Sequence, residues 1–327
     1  MKNSKCLVCR GKVKLLFASL FDDRYGSPGK YSIYRCSKCG FMRLFPLIPQ
    51  KEMADFYAKY YPTSNAKADE IKKKLRIKSK FINWLNGNDN QSHLYIKKYS
   101  KVLDVGCGDC SSLMEIKKLG GIPSGLDPNP YSKKISKNLG LNVRQGFIYD
   151  NLFEKEKFDF VTASQVIEHE QDPILFLETS KKLLNNNGKI ILSFPNADSV
   201  YRKIFGKKWI NWHVPYHINF FNKKSFTILS KETNLNIIKL KTISPNIWTI
   251  LQIRSLFTFP QEGVKNPLWS VTNKTIRFKY KSVNLFNYIF KIMQLCINVI
   301  IILFNRLIDL IGWGDSFLVV LEKNYEN

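Results

Sequence analysis

From Lys101 to Pro195 the chain alternates short apolar runs with amphipathic stretches, and no other feature of the sequence narrows its fold as far. KVLDV (101–105) predicts a buried strand and SSLMEIKKLG (111–120) the helix after it. IPSGLD (122–127) predicts the next strand, and PYSKKISKNLG (130–140) a helix that closes on Gly140. FDFVTAS (158–164), DPILFLETSKKLL (172–184) and KIILSFP (189–195) continue the pattern. Strands separated by helices of about ten residues argue for βαβ units and a parallel sheet. NIIKLKTI (236–243) predicts a further strand whose natural hairpin partner, SFLVVLE (316–322), arrives late, so residues 246–312 read as an insertion between the two.

The chemistry-bearing residues concentrate after the first of these strands, in LDVGCGDC (103–110). Gly106 and Gly108 let the backbone turn sharply and approach a ligand where a Cβ would clash. The third glycine position of a dinucleotide fingerprint is Ser111 here, which argues against pyrophosphate binding. Asp104 suits a ligand with a cationic amino group near the turn. Asp127 ends the second strand, where an acid accepts hydrogen bonds from both ribose hydroxyls. The plain alternative is a structural glycine turn with a chance acid.

Four of the seven cysteines form two pairs, Cys6/Cys9 and Cys36/Cys39, with 26 residues between the pairs. The N-terminus lacks the apolar core of a signal peptide, so a reducing cytoplasmic setting is expected. There, paired CxxC motifs point to structural Zn²⁺ held by four thiolates, against redox-active or empty thiols. The resulting division is a zinc ribbon at 1–45 and a helical connecting segment at 46–98. Residues 99–245 with 313–327 form the α/β domain, and 246–312 a hydrophobic helical insertion.

At these residues the sequence resembles class I S-adenosylmethionine-dependent methyltransferases. FDFVTASQVIEHEQDP (158–173) is similar to that fold's fourth strand and the Glu-His turn after it, and GKIILSFPN (188–196) to the fifth strand with its Pro-Asn ending. WHVPYHINFFNKKSFTILSKETNL (212–235) resembles the segment that brings a Pro-x-His and a Phe before the next helix. The resemblance implies a Rossmann-like seven-stranded sheet with its last strand antiparallel and S-adenosyl-L-methionine over the C-terminal edge. Cofactor contacts would then fall to Asp104, Gly106, Gly108, Asp127, Phe147 beside the adenine, and Gln165. The ribbon followed by FPLIPQKEMADFYAKYYP (45–62) is similar to bacterial zinc-ribbon methyltransferases, including those of surface-polysaccharide clusters. In quinone-ring O-methyltransferases a Glu-x-x-Glu-His turn is associated with a divalent metal, but the first acid is Gln165 here, which counts against that metal.

Transfer to a weak nucleophile needs in-line placement and a base. His169, after the fourth strand, and His217, in the segment after the fifth, are the candidate bases. The expected reaction, in the sense of the resemblance, is methylation at oxygen of a small acceptor such as a nucleotide- or lipid-linked sugar of envelope polysaccharide synthesis. The net charge of +25 suits a phosphorylated or membrane-borne acceptor, and it also fits coding bias or an RNA- or protein-modifying enzyme. Nucleic acid is disfavoured because ASQV (163–166) replaces the Asn-Pro-Pro-aromatic signature of adenine and glutamine methylation, and no cysteine follows the fourth or fifth strand. A binding protein that keeps the cofactor fold without catalysis is the third reading. The run IMQLCINVIIILF (292–304) is short for a bilayer span, which favours a buried helix, then peripheral membrane contact through 284–312 at the inner membrane face, over a true span.

Overall fold

The computed structural model describes residues 5–62, 67–74, 79–269 and 285–324. The chain opens with an antiparallel meander, β1 (Val13–Leu20), β2 (Tyr31–Cys36) and β3 (Met42–Phe45). Three helices follow, α1 (Gln50–Tyr60), α2 (Ala68–Lys74) and α3 (Lys80–Asn86). Residues 63–66 and 75–78 of the segment predicted to be helical lie outside the described residues.

The alternation after Lys101 becomes β4 (Lys101–Val105), α4 (Ser111–Lys118), β5 (Ile122–Asp127), α5 (Pro130–Leu139), β6 (Asn142–Gln145), β7 (Phe158–Ser164), α6 (Pro173–Lys182) and β8 (Leu184–Pro195). Local chemistry sets the helix ends. The Asn129 side chain accepts from the Tyr131 N–H at 2.9 Å, Pro130 opens α5, and Gly140 closes it in the left-handed region. Asp172 caps α6 by accepting from the N–H groups of Ile174 and Leu175, a cap of the kind that stabilises by about 1 kcal/mol. Beyond lie α7 (Val200–Phe205), β9 (Asn219–Phe220), α8 (Lys223–Glu232), β10 (Leu235–Ile243), α9 (Asn246–Ser255), α10 (Leu285–Leu310) and β11 (Ser316–Lys323).

The central sheet has seven strands in the order β10-β11-β8-β7-β4-β5-β6, all parallel except β11. Adjacent residues divide between its two faces, as a period of two requires. Leu103, Val161 and Ile190 join one buried cluster, and Val102, Phe160 and Ile191 the other. Covered on both sides, these strands read as continuous apolar runs. The parallel arrangement brings the ends of β4, β5, β7 and β8 to one edge. Ser316 pairs with both Pro195 and Ile243, so the insertion leaves and re-enters the sheet at that same edge.

Two features bear on the sequence reading. The N-terminal unit does not stop at residue 45, because β9 pairs with β3 (Met42 opposite Phe220, Arg43 opposite Asn219) and makes its fourth strand. The open edge of β3 needs hydrogen-bond partners, and a two-residue strand supplies them without leaving a periodic signal. Cys6, Cys36, Cys39 and Phe41 meanwhile join the same buried cluster as Phe194 and Phe221. The second feature is α10, which contains the run 292–304 and leaves Leu295, Ile300 and Leu303 63%, 64% and 65% exposed, against the buried-helix alternative alone. Residues 270–284 of the insertion lie outside the described residues.

Among the described side chains of α10, those bonded to the rest of the protein lie in its C-terminal part. Asn305 donates to Asn246 Oδ1 at 2.9 Å and accepts from Tyr201 Oη at 2.5 Å. Arg306 donates to the carbonyls of Ser244 and Trp84 and lies 2.9 Å from Asp309. Just past the helix, buried Asp315 accepts from Ser199, Trp209 and Asn211 at 2.7–2.8 Å. A buried network of this kind, one ion pair with several hydrogen bonds, fixes one geometry at the root of the helix.

Candidate active site and cysteine cluster

The turn after β4 is built by two left-handed glycines. Gly106 has φ +74°, and a Cβ there would come within 2.6 Å of Val166. Gly108 has φ +51°, and a Cβ on it would point into open space with nothing within 4 Å. Asp127 links the two adjoining turns, accepting from Gly108 N–H and Asn129 N–H, each at 2.8 Å. A carboxylate offers about four acceptor positions, so two are left for further donors.

Asp104 lies near the end of β4, buried, and is met by two hydroxyls. Its oxygens accept from Ser112 Oγ at 2.5 Å and Thr162 Oγ1 at 2.6 Å. β4 is covered on both faces, so the nearest hydroxyls satisfy the buried carboxylate. Burial raises the pKa of both Asp104 and Asp127. The raise is opposed by His93 and Ser112 beside the first, and by the N–H groups of Asn129 and Gly108 on the second. Phe147, partly buried after β6, has its N–H held by the Asp150 carboxylate at 2.8 Å. Gln165, just past β7, donates its N–H to the Ser193 carbonyl at 2.8 Å with φ +58°. Cys110 (φ +65°) and His213 (φ +37°) are also left-handed non-glycine residues at this edge, a clustering typical of strained functional sites.

The turn after β7 meets the 212–221 segment in a group of rings. The His169 and His217 centroids are 4.7 Å apart, and His213 lies 4.8 Å from His217. His217 Nδ1 is 2.8 Å from the Asn211 carbonyl, which can only accept, so Nδ1 carries the proton and Nε2 the lone pair. Tyr57 Oη lies 3.1 Å from His169 Nδ1. Burial lowers the pKa of His169 to about 4 and of His213 and His217 well below the ordinary value, so all three are neutral at pH 7. Glu168 is buried with both carboxyl oxygens lacking a hydrogen-bond partner, and burial raises its pKa to about 8. One ligand atom each from Glu168, His169 and His217 lies within 4.8 Å of the others. His217, which lies beside Glu168 and His169, comes from a segment about 50 residues beyond Gln165.

Sequence reasoning placed His213 with His217 in the segment after the fifth strand but missed Tyr25, Tyr57 and Tyr61 beside them. Tyr57 and Tyr61 stand four apart at the end of α1 and stack at 5.2 Å, a helical spacing visible in FYAKYYP. Tyr25, from the loop between β1 and β2, stands 5.5 Å from both His213 and Tyr216. That loop is shaped by buried Asp22, which accepts from the N–H groups of Arg24, Tyr25 and Ser27 at 2.9 Å.

Cys6, Cys9, Cys36 and Cys39 form the second constellation. Sγ separations are 3.6 Å for Cys6–Cys39 and 3.4 Å for Cys9–Cys36, and all four sulfurs lie within 4.8 Å of one another. Tetrahedral Zn²⁺ with thiolate bonds near 2.3 Å sets sulfurs about 3.8 Å apart, so the donors fit. A recess of about 570 Å³ lined by Lys157, Asp159, Leu184 and Lys323 opens at the opposite edge of the sheet, far from both constellations.

Comparison with known proteins gives a consistent result. A family model described as a methyltransferase domain matches residues 50–240. The ubiquinone biosynthesis O-methyltransferase of Pelagibacter ubique is 27% identical over 161 residues, 46% of this chain and 67% of that protein. Its namesake in Pasteurella multocida is 32% identical over 112 residues, 29% of this chain and 46% of that protein. The chain therefore spans about two thirds of the first relative and just under half of the second. Among solved structures, an S-adenosylmethionine-dependent methyltransferase from Archaeoglobus fulgidus is 18% identical with a TM-score of 0.42, covering 79% of this chain and 95% of that one. A possible histamine N-methyltransferase from Thermotoga maritima is 18% identical with a TM-score of 0.40, covering 48% and 72%.

Proposed function

The chain belongs to the methyltransferase-domain family, whose match takes in more than half of its residues, and on that premise we propose that it methylates a hydroxyl of a small acceptor, using S-adenosyl-L-methionine. The observation that carries this is the meeting, at one sheet edge, of the open Gly106–Gly108 turn with buried neutral histidines. The space beyond Gly108 and the free acceptor positions of Asp127 fit the ribose end of the cofactor. When bound, the cofactor supplies an electrophilic methyl group. Asp127 accepts from the ribose hydroxyls, Phe147 borders the adenine, and Gln165 borders the methionine end. Asp104 acts through Ser112 and Thr162, holding β4 and α4 in register beneath the turn.

His217 is the base in this reading. Its Nε2 lone pair is fixed by the Asn211 bond, and burial keeps the ring neutral and ready to accept the acceptor's proton. His169, braced by Tyr57, orients the acceptor or takes the proton in its place. The O-methyltransferase relatives support oxygen as the methylated atom. The basic balance and apolar insertion support a nucleotide- or lipid-linked sugar of envelope polysaccharide synthesis, handled in the cytoplasm or at the inner membrane face. The four cysteines fit a structural Zn²⁺. Glu168, His169 and His217 together also fit a divalent cation that would orient an acceptor oxygen, and the unpartnered Glu168 carboxyl favours this variant of the site.

Titration calorimetry with S-adenosyl-L-methionine, S-adenosylhomocysteine and NAD is the first test. Micromolar binding of the first two alone supports the cofactor, and no binding to folded protein sinks the enzyme reading. His217→Ala should then lower kcat by about a hundredfold. Loss of turnover in chelator with the fold intact would instead favour the cation. The net charge of +25 leaves RNA or protein methylation as the second reading, and a salt-sensitive RNA gel shift would favour it.

A further inference from the structure

We infer that α10 is a docking arm that lies in the plane of an anionic membrane surface and holds the cofactor edge of the enzyme against it. This rests on the acceptor class proposed above only for its purpose, since the docking itself needs no acceptor. By length and composition Ile292–Leu310 could cross a bilayer, yet it emerges from the protein largely uncovered. Leu295, Val299, Ile300 and Leu303 are exposed, and exposure continues at Leu307 and Leu310. Beside the helix, α3 leaves Phe81 66% exposed, and the chain past α10 leaves Trp313 half-exposed. So many large apolar side chains in continuity exceed what scattered surface residues amount to.

Charge selects the occupant. No Asp or Glu occurs from Leu285 to Arg306, and the one acid of the helix, Asp309, is paired to Arg306. Lys203 sits 5.1 Å over the Trp313 ring, and exposed Lys80 and Arg254 stand on α3 and α9, the helices that contact α10. A second copy of this chain would bring the same net charge of +25 and be repelled, whereas anionic headgroups complement it. A long uncovered apolar surface with basic residues on the neighbouring elements suits contact with an anionic lipid surface.

The anchoring dictates the mode. Asn305, Arg306 and Ile308 are buried and bonded to α9, α3 and the end of β10, so the C-terminal part of α10 cannot leave the protein. A transmembrane crossing would also carry the preceding segment, with Lys274, Arg277, Lys279 and Lys281, through hydrocarbon. Because residues 244–315 leave and re-enter the sheet at the edge carrying the Gly106–Gly108 turn, a membrane on α10 flanks the site.

The test is sedimentation of the full chain, without methyl donor or acceptor, with vesicles of phosphatidylcholine alone or with one quarter phosphatidylglycerol. Binding to the anionic vesicles, weakened several-fold at about 0.5 M salt, is expected. Ile300→Glu with Leu303→Glu should weaken it at least about tenfold. Lys203→Ala should weaken it only on anionic vesicles. Equal recovery in the supernatant with both vesicle types overturns the proposal and leaves the methyl-transfer reading untouched. Resistance to alkaline carbonate extraction overturns it in favour of a span. A lipid-independent dimer abolished by Leu303→Glu, with no vesicle binding, overturns it in favour of self-association.

Discussion

The N-terminal cysteine unit and the α9–α10 insertion both lie outside the seven-stranded sheet, but they are joined to it in opposite ways. The cysteine unit is tied in along its length. β3 pairs with β9, Leu44 donates to the Ile218 carbonyl, Ile218 donates to the Glu168 carbonyl, and Arg43 donates to the Gln171 carbonyl. A continuous hydrogen-bond path thus runs from the cysteine unit to the Glu168–His169 turn. Within the insertion, α9 is tied in through Asn246 and Gln252, whereas α10 is bonded near its C-terminal end, by Asn305, Arg306 and Asp309, and leaves much of its described apolar length bare. The difference teaches that an appendage paired to the catalytic segment forms a wall of the site. One fastened at a single end is free to meet something else.

The largest effect that could break this comparison concerns the cysteines. Cys36→Ser or chelation should remove several kcal/mol of stability, since structural zinc sites contribute directly to folding. It should also loosen the site through β9, so thermal midpoint and cofactor affinity should fall together. An unchanged cofactor affinity in the metal-free protein would show that the unit is not a wall. Within the sheet itself, Asp127→Ala should weaken cofactor binding about tenfold, or about 1.4 kcal/mol, by calorimetry. Its thermal midpoint should change much less than that of Cys36→Ser, which separates loss of a contact from loss of a wall.

The root of the insertion offers a pH test. Burial raises the pKa of Asp315 and Asp309 to about 6, against an ordinary carboxyl near 3.8. Between those values the folded state holds more protons than the unfolded chain, so these groups make stability fall as pH rises from about 4 to 6. Measured against Asp315→Asn, the wild type should therefore lose about 1–3 kcal/mol of relative stability over that window. A flat difference would mean that the Ser199, Trp209 and Asn211 bonds offset burial completely. The smallest expected effect is on the bare length of α10. Leu303→Glu should leave unfolding free energy within about 0.5 kcal/mol of wild type in the absence of lipid, because the side chain is already in water. A larger loss in denaturant titration would show that this face is covered within the protein.

Periodicity determined the sheet. The spans of β4, β5 and β7 are those of KVLDV, IPSGLD and FDFVTAS, because buried strands write themselves as unbroken apolar runs. The glycine turn and the two CxxC pairs were legible because backbone conformation and thiolate ligation each demand one residue type at fixed spacing. Tertiary structure alone decided the rest. It turned Asp104 towards Ser112 and Thr162, closed β3 with two residues from 219–220, brought His217 to Glu168, and set Tyr57 against His169. Apart from Asp104–Ser112, such contacts join segments tens to more than a hundred residues apart, and they depend on side-chain direction and burial rather than on any local pattern. The exposure of α10 belongs with them, since an apolar helix reads the same whether protein or something else is to cover it.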